Sequence, residues 1–199
     1  MSTEENQRFF SGIADRPVTR LVITSSGGEV EAGIALGTWV FEHRLDVEVP
    51  EYCLSSCANY VFPAAKRKTI APGAVVAWHG NYHHLKATGL WTEDIAVRMQ
   101  RYGEDATMAR EQVRAEMERL VRLERDFFTR IGVDQYLCWV GKMSPYNAPN
   151  YYFLSPEDMA GFGVTLVQTP SGYENTDVSD LKASVVYIRL NNTDAPADR

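Results

Sequence analysis

The stretch LVITSSGGEVEAGIALGTWV, residues 21–40, decides the reading of the fold. VTRLVITS, residues 18–25, is rich in β-branched residues and predicts a strand. Ser26, Gly27 and Gly28 break it. Beyond the break Val30, Gly33, Ile34, Gly37 and Phe41 recur at spacings of three and four, the period of an amphipathic helix. The same alternation continues downstream. LDVEVPEYCL (45–54) predicts a second strand, SCANYVFPAA (56–65) a short helix, and AVVAWH (74–79) a third strand. Strand, helix, strand, helix, strand implies an α/β class with a parallel sheet and right-handed crossovers.

On either side of this unit the patterns are helical. Residues 5–13 suggest a short helix. A long helical region fills the middle third, with Met117, Leu120, Val121, Phe127, Phe128 and Ile131 in one apolar stripe. Glu118 with Arg122, and Asp126 with Arg130, are spaced for i,i+4 pairing on its wet face. Thr92 is placed to cap, with Glu93 and Asp94 in the first turn, Gly103 to interrupt the run, and Gly132 to end it. SPEDMAGFG (155–163) opens a further helix with Ser155 as cap, Pro156 at the first position and Asp158 closing the box. VTLVQ returns as a strand, residues 169–180 are polar and turn-rich, and ASVVYIRL (183–190) is a late edge or partner-facing strand.

The chain has 199 residues, enough for one domain with a sizeable core. Its net charge of −6 argues against nucleic acid as a partner, because phosphate binding runs on surplus Lys and Arg. No run of about 18 apolar residues occurs. The N-terminal MSTEENQRFF has two acids and no apolar run, so it is not a secretory signal. As written, the chain reads as cytoplasmic; with a leader removed, it reads as a cell-envelope protein. Three cysteines are too few for a disulfide scaffold. Cys53 and Cys57 are either a bridge or small buried thiols.

Chemistry concentrates in EYCLSSCANYVF, residues 51–62. Ser56 falls where a strand hands over to a helix, beside free N–H groups and the positive end of the dipole. Gly27 and Gly28 end the preceding strand and His79 ends the next. Three strands thus deliver a glycine pair, a serine and a histidine to one edge of a sheet, where ligands gather in open α/β folds. A lone serine at such a junction is most often a helix cap, and a lone histidine a core residue; the convergence weighs against both. His79 and His83, four apart, lack a third ligand and an acidic partner, so zinc is disfavoured and no metal is expected. His83 and His84 read as loop residues lining the cleft. Trp39, Phe41, Phe127 and Phe128 read as core, and the basic turn AAKRK as solvated surface.

LVITSSGGEVEAGIALGTWV, followed by CLSSCANYVFPAAKRKTIAPGAVVAWHG, resembles the proteolytic subunit of the Clp protease within the ClpP/crotonase superfamily. YFLSPEDMAGFGVTLV resembles that family's ending. The resemblance covers roughly residues 18–168, leaving 169–199 as a C-terminal extension of a single domain, 1–199. The double-cysteine form is closer to envelope-associated ClpP-like proteins. The resemblance implies a spiral of ββα units with a long protruding helix, and a serine-type peptidase acting on peptides or proteins. Ser56 matches the nucleophile and His79, 23 residues on, the general base. Gly28 and Cys57 match the oxyanion-hole donors. No cofactor is implied. A homo-oligomer built on the long helix is expected, in rings of six or seven by family habit, with dimers and trimers also fitting. An ATPase unfoldase partner follows by analogy alone.

Two features depart from the family. Its third catalytic member is an aspartate where this chain has Tyr151. Asn150 and Asp134 are left to orient His79, unless a Ser–His dyad suffices. The family's first strand has no counterpart before residue 5. The tyrosine favours a rival reading, a binding or scaffold protein that keeps the pocket with an impaired triad. A CoA-thioester enzyme of the crotonase branch is the third, since that branch uses an oxyanion hole without this Ser–His pair.

Overall fold

A computed structural model describes residues 1–14, 16–92, 99 and 106–191. The protein is mixed α/β, and every pairing between its strands is parallel. Eight strands are described: β1 (Arg20–Val22), β2 (Asp46–Val49), β3 (Tyr52–Leu54), β4 (Lys68–Ile70), β5 (Val75–Ala77), β6 (Tyr151–Leu154), β7 (Val167–Gln168) and β8 (Val185–Ile188). They form a four-stranded sheet in the order β1-β2-β4-β7 and two pairs, β3-β5 and β6-β8. The helices are α1 (Thr3–Ile13), α2 (Val30–Glu42), α3 (Phe62–Ala64) after a π-helical turn at Cys57–Val61, α4 (Tyr82–Thr88), α5 (Ala106–Ile131) and α6 (Pro156–Gly161).

The strand expected over 45–54 is two strands that serve different sheets. Pro50 lies between them and has no N–H to donate to a ladder. The neighbours bend in step. The Ile23 N–H reaches the Glu48 carbonyl, while the Ser25 N–H reaches that of Tyr52. The Ala71 N–H reaches Val49, and that of Val75 reaches Glu51. The three segments that continue β1, β2 and β4 therefore leave the large sheet together and run on toward the β3-β5 pair.

The AAKRK turn runs straight into a strand that periodicity missed. Lys68, the first residue of β4, is 4% exposed rather than solvated. Its ammonium donates to the Ala65 and Thr165 carbonyls, and burial pushes its pKa down to about 8. β6 occupies YYFL, residues 151–154, a run to which periodicity assigned no strand, and β8 pairs with it.

α5 buries the expected stripe, with Met117, Leu120, Val121, Phe127 and Phe128 inside and Ile131 partly so. Gly132 follows in the left-handed region, φ 69°. The i,i+4 pair of Asp126 and Arg130 does not form: Arg130 bridges to Glu42 of α2, and Asp126 to Arg125. Ser155 caps α6 by accepting from the Asp158 N–H. Phe41 is 36% exposed, unlike the core residue expected. Thr92, expected as a cap, is itself helical, whereas Glu93 and Asp94 and the break at Gly103 lie outside the described residues. No described helix is long and apolar enough to cross a membrane.

Candidate active site

β3 and β5 lie side by side with Leu54 opposite Ala77, and the Ser55 N–H donates to the Ala77 carbonyl at 3.2 Å. Ser55 is thus the first residue off its strand, and His79 the second off the neighbouring one. Ser55 occupies the left-handed region, φ 54°, a costly conformation for a residue with a side chain. Ser56 already has helical angles, φ −57° and ψ −27°. The backbone therefore turns sharply at Ser55, in the manner of a nucleophile elbow. Gly27 abuts this corner: a Cβ there would lie 2.6 Å from the Ser55 Cβ, and its φ of 96° is itself left-handed.

The turn settles which hydroxyl meets the imidazole. His79 Nε2 is 2.8 Å from Ser55 Oγ. Ser56 Oγ instead donates to the Gly28 carbonyl at 2.8 Å. The expected pairing of Ser56 with His79 is corrected to Ser55: successive residues at the corner point apart, and the one still attached to the strand end faces the next strand. The residue that follows Ser55 is Ser56, and Cys57, expected as an oxyanion donor, is the next one on. The Gly28 N–H makes no hydrogen bond among the described residues. Its Cα lies against Met1, whose carbonyl a Gly28 Cβ would meet at 2.0 Å.

Cys53 and Cys57 form a disulfide with Cα atoms 5.3 Å apart. It ties β3 to the π-helical turn and brackets both serines. Cys138 is a free, buried thiol.

Neither residue expected to orient His79 does so. Asp134 caps a 3-10 turn, accepting from the Tyr136 N–H at 2.8 Å. Asn150 is exposed, and its carbonyl accepts from Lys142 Nζ at 3.1 Å. Tyr151 stands at the imidazole instead, with ring centroids 4.6 Å apart and planes inclined at 44°. Burial pushes its phenol pKa up, and a hydrogen bond with the Ser55 hydroxyl pulls it back down. Ser55 thus contacts an imidazole and a phenol. Lys142 also donates to the carbonyls of Ala148 and Pro149, so one ammonium gathers the loop that delivers Tyr151.

Burial biases the histidines of the site toward their neutral forms. Burial lowers the His79 pKa, and the Lys142 charge lowers it further. His84, 6% exposed, is lowered by burial, then by Lys142 and His79. A neutral imidazole whose Nε2 faces a hydroxyl is able to take its proton. A cleft of about 210 Å³ opens here, lined by Ser55, Ser56, Asn59, His79, Tyr82 and His84 among others. His84 lines it as expected, whereas His83 lies flat on Trp139 at 5.5 Å. Among the described residues no group of three or more His, Cys, Asp or Glu is placed to hold a metal.

Sequence reasoning missed Ser55, Lys142 and the contact of Tyr151 with Ser55. A signal for Ser55 existed: it directly follows the last strand residue, the place of an elbow. Lys142 carries no such mark. Compared with protein-family models and with curated proteins, the chain matches none.

Proposed function

We propose that the protein is a serine-type hydrolase that cleaves peptide bonds, with Ser55 as nucleophile and His79 as general base. The observation that carries this reading is the 2.8 Å contact between His79 Nε2 and an elbow serine. Ser55 Oγ attacks the substrate carbonyl carbon while Nε2 takes its proton. The oxyanion is held by the Gly28 N–H and, in place of Cys57, by the N–H of Ser56, the residue after the nucleophile. The imidazolium then protonates the leaving amine. Water, deprotonated by the same imidazole, releases the acid and restores Ser55. Tyr151 stabilises negative charge growing on Oγ by donating its hydroxyl hydrogen. These steps call on no metal or nucleotide.

The resemblance to the ClpP/crotonase superfamily supports the same chemistry and extends it. It implies the ββα spiral, a homo-oligomer assembled through α5 and a peptide or protein substrate, with an ATPase unfoldase by analogy only. Turnover is expected to be slow. No described carboxylate orients His79, and in a well-studied triad protease disabling that carboxylate costs about 10⁴ in rate. The same gap, with the Tyr151 ring over the imidazole, favours a second reading as a binding or scaffold protein.

A fluorophosphonate probe separates the two. Labelling that Ser55→Ala abolishes and Ser56→Ala retains supports the hydrolase. A folded protein that no fluorophosphonate labels at any pH from 5 to 9 supports the scaffold.

A further inference from the structure

Glu124 is buried at 0% exposure in the middle of α5, on the face that also carries the apolar stripe. Its carboxylate accepts from Tyr60 Oη at 2.6 Å, from the Tyr82 N–H at 3.1 Å and from the His83 N–H at 2.9 Å. Tyr82 and His83 open α4, so these N–H groups have no acceptor within their own helix. The next, that of His84, is taken by the Asn81 side chain. The start of α4 is therefore capped from another helix. α4 in turn walls the cleft with Tyr82, His84 and Leu85, and Tyr60 belongs to the turn that follows Ser55. One carboxylate joins the long helix, the cleft roof and the reactive turn.

Two further observations make this junction a movable one. No described cation pairs with Glu124, so its ionised form is disfavoured wherever it stays dry. The apolar contacts under the roof also form a cluster of their own, Val113 and Met117 with Tyr82, Leu85, Trp91 and Met99, apart from the main core. Lifting α4 opens this small cluster and the stacking of His83 and His84 on Trp139, a local set of contacts of the kind a locally opening unit breaks.

We propose that Glu124 is a pH-operated latch on the cleft roof: neutral, it stays under α4 and holds the roof down; ionised, it favours the state in which α4 lifts and water reaches the carboxylate. The direction follows from linkage, since protons favour whichever state holds them more tightly. Burial pushes the Glu124 pKa up to about 7, against the pull of Tyr60, His83 and Tyr82, so the change falls near neutrality. The titratable groups facing it are Tyr60 and Cys138, both pushed to high pKa, and His83, held neutral by burial with help from Lys86 and Arg125. Tyr60 and Cys138 keep their protons through neutrality, and the His83 shift is toward lower pH, away from that of Glu124.

Amide hydrogen exchange tests the latch without relying on Ser55 chemistry. After correction for intrinsic exchange, protection at Tyr82 and His83 is expected to fall about tenfold between pH 5.5 and 7.5. Glu124→Gln, neutral at every pH, is expected to flatten that response. If this variant fails to fold, Tyr60→Phe serves, because losing one donor to the carboxylate moves the midpoint to higher pH. A pH-independent wild type overturns the proposal. So does a folded Glu124→Gln variant that keeps the wild-type response, or an unmoved midpoint in Tyr60→Phe. Fluorophosphonate labelling in parallel keeps the two readings apart: unlabelled protein with a pH-dependent roof sinks the hydrolase and leaves the latch standing.

Discussion

His79 Nε2 lies 2.8 Å from Ser55 Oγ, while the adjacent Ser56 turns away to the Gly28 carbonyl. The two serines thus have different settings, one facing an imidazole and one fastened to the glycine turn. Ser56→Ala removes a buried hydrogen bond that fastens the glycine turn to the elbow. It is expected to cost about 1 kcal/mol of stability, read by urea denaturation, and to keep fluorophosphonate labelling at Ser55. A variant unchanged in stability would show that the Gly28 contact contributes nothing.

Lys142 adds to the lowering of the His79 pKa. Burial is the larger cause of the lowered imidazole pKa and the ammonium the smaller. A histidine lowered this way favours the neutral form in the fold, so it contributes stability above pH 6.5 that is lost as pH falls toward the folded pKa. Lys142→Met is expected to move the acid limb of the labelling-rate profile to higher pH while leaving it below 6.5. NMR titration of His79 checks the same shift directly. A midpoint that stays fixed would remove the Lys142 charge from the account.

Reduction of the Cys53–Cys57 bridge frees a short loop. The chain-entropy relation for a five-residue loop gives about 2 kcal/mol. Melting with and without a phosphine reductant is expected to show a loss of that order, together with slower labelling of Ser55, because both serines lie inside the bracket. Equal labelling rates in the two states would mean that the π-helical turn holds the elbow without covalent help.

Gly27 leaves room for the corner. With a Cβ it would crowd the Ser55 Cβ at 2.6 Å and the Leu54 carbonyl at 2.8 Å, at a φ that side chains rarely adopt. Gly27→Ala is expected to cost about 2 kcal/mol and to depress labelling more than Ser56→Ala does. The thermal melt and the labelling rate, taken together, check it.

The parts of this protein that periodicity encodes were legible before any coordinates. α2, the stripe of α5 and the Ser155 cap each depend on spacings within one segment. The α/β class and the parallel pairing followed from their alternation. What lay beyond reach depended on partners far along the chain. Pro50 divides one apolar run between two sheets, which only the neighbouring strands reveal. Lys68 looked like surface because its basic neighbours are surface; two carbonyls, one of them 97 residues away, bring it inside. Ser55 and Ser56 are equivalent as letters, and a single positive φ separates them. Glu124 falls in register with the apolar stripe of α5, but spacing does not name the donors that bury it, which belong to Tyr60 and α4.

The ladder between β3 and β5 has a wider consequence. Leu54 stands opposite Ala77, so the gap between the hydroxyl and the imidazole is fixed by strand alignment, not by the segment that joins them. Insertions at the exposed Pro72–Gly73 turn would lengthen a connector and leave that gap intact. A slip of one rung would present the imidazole with a different neighbour, and the same composition would then carry no reactive pair.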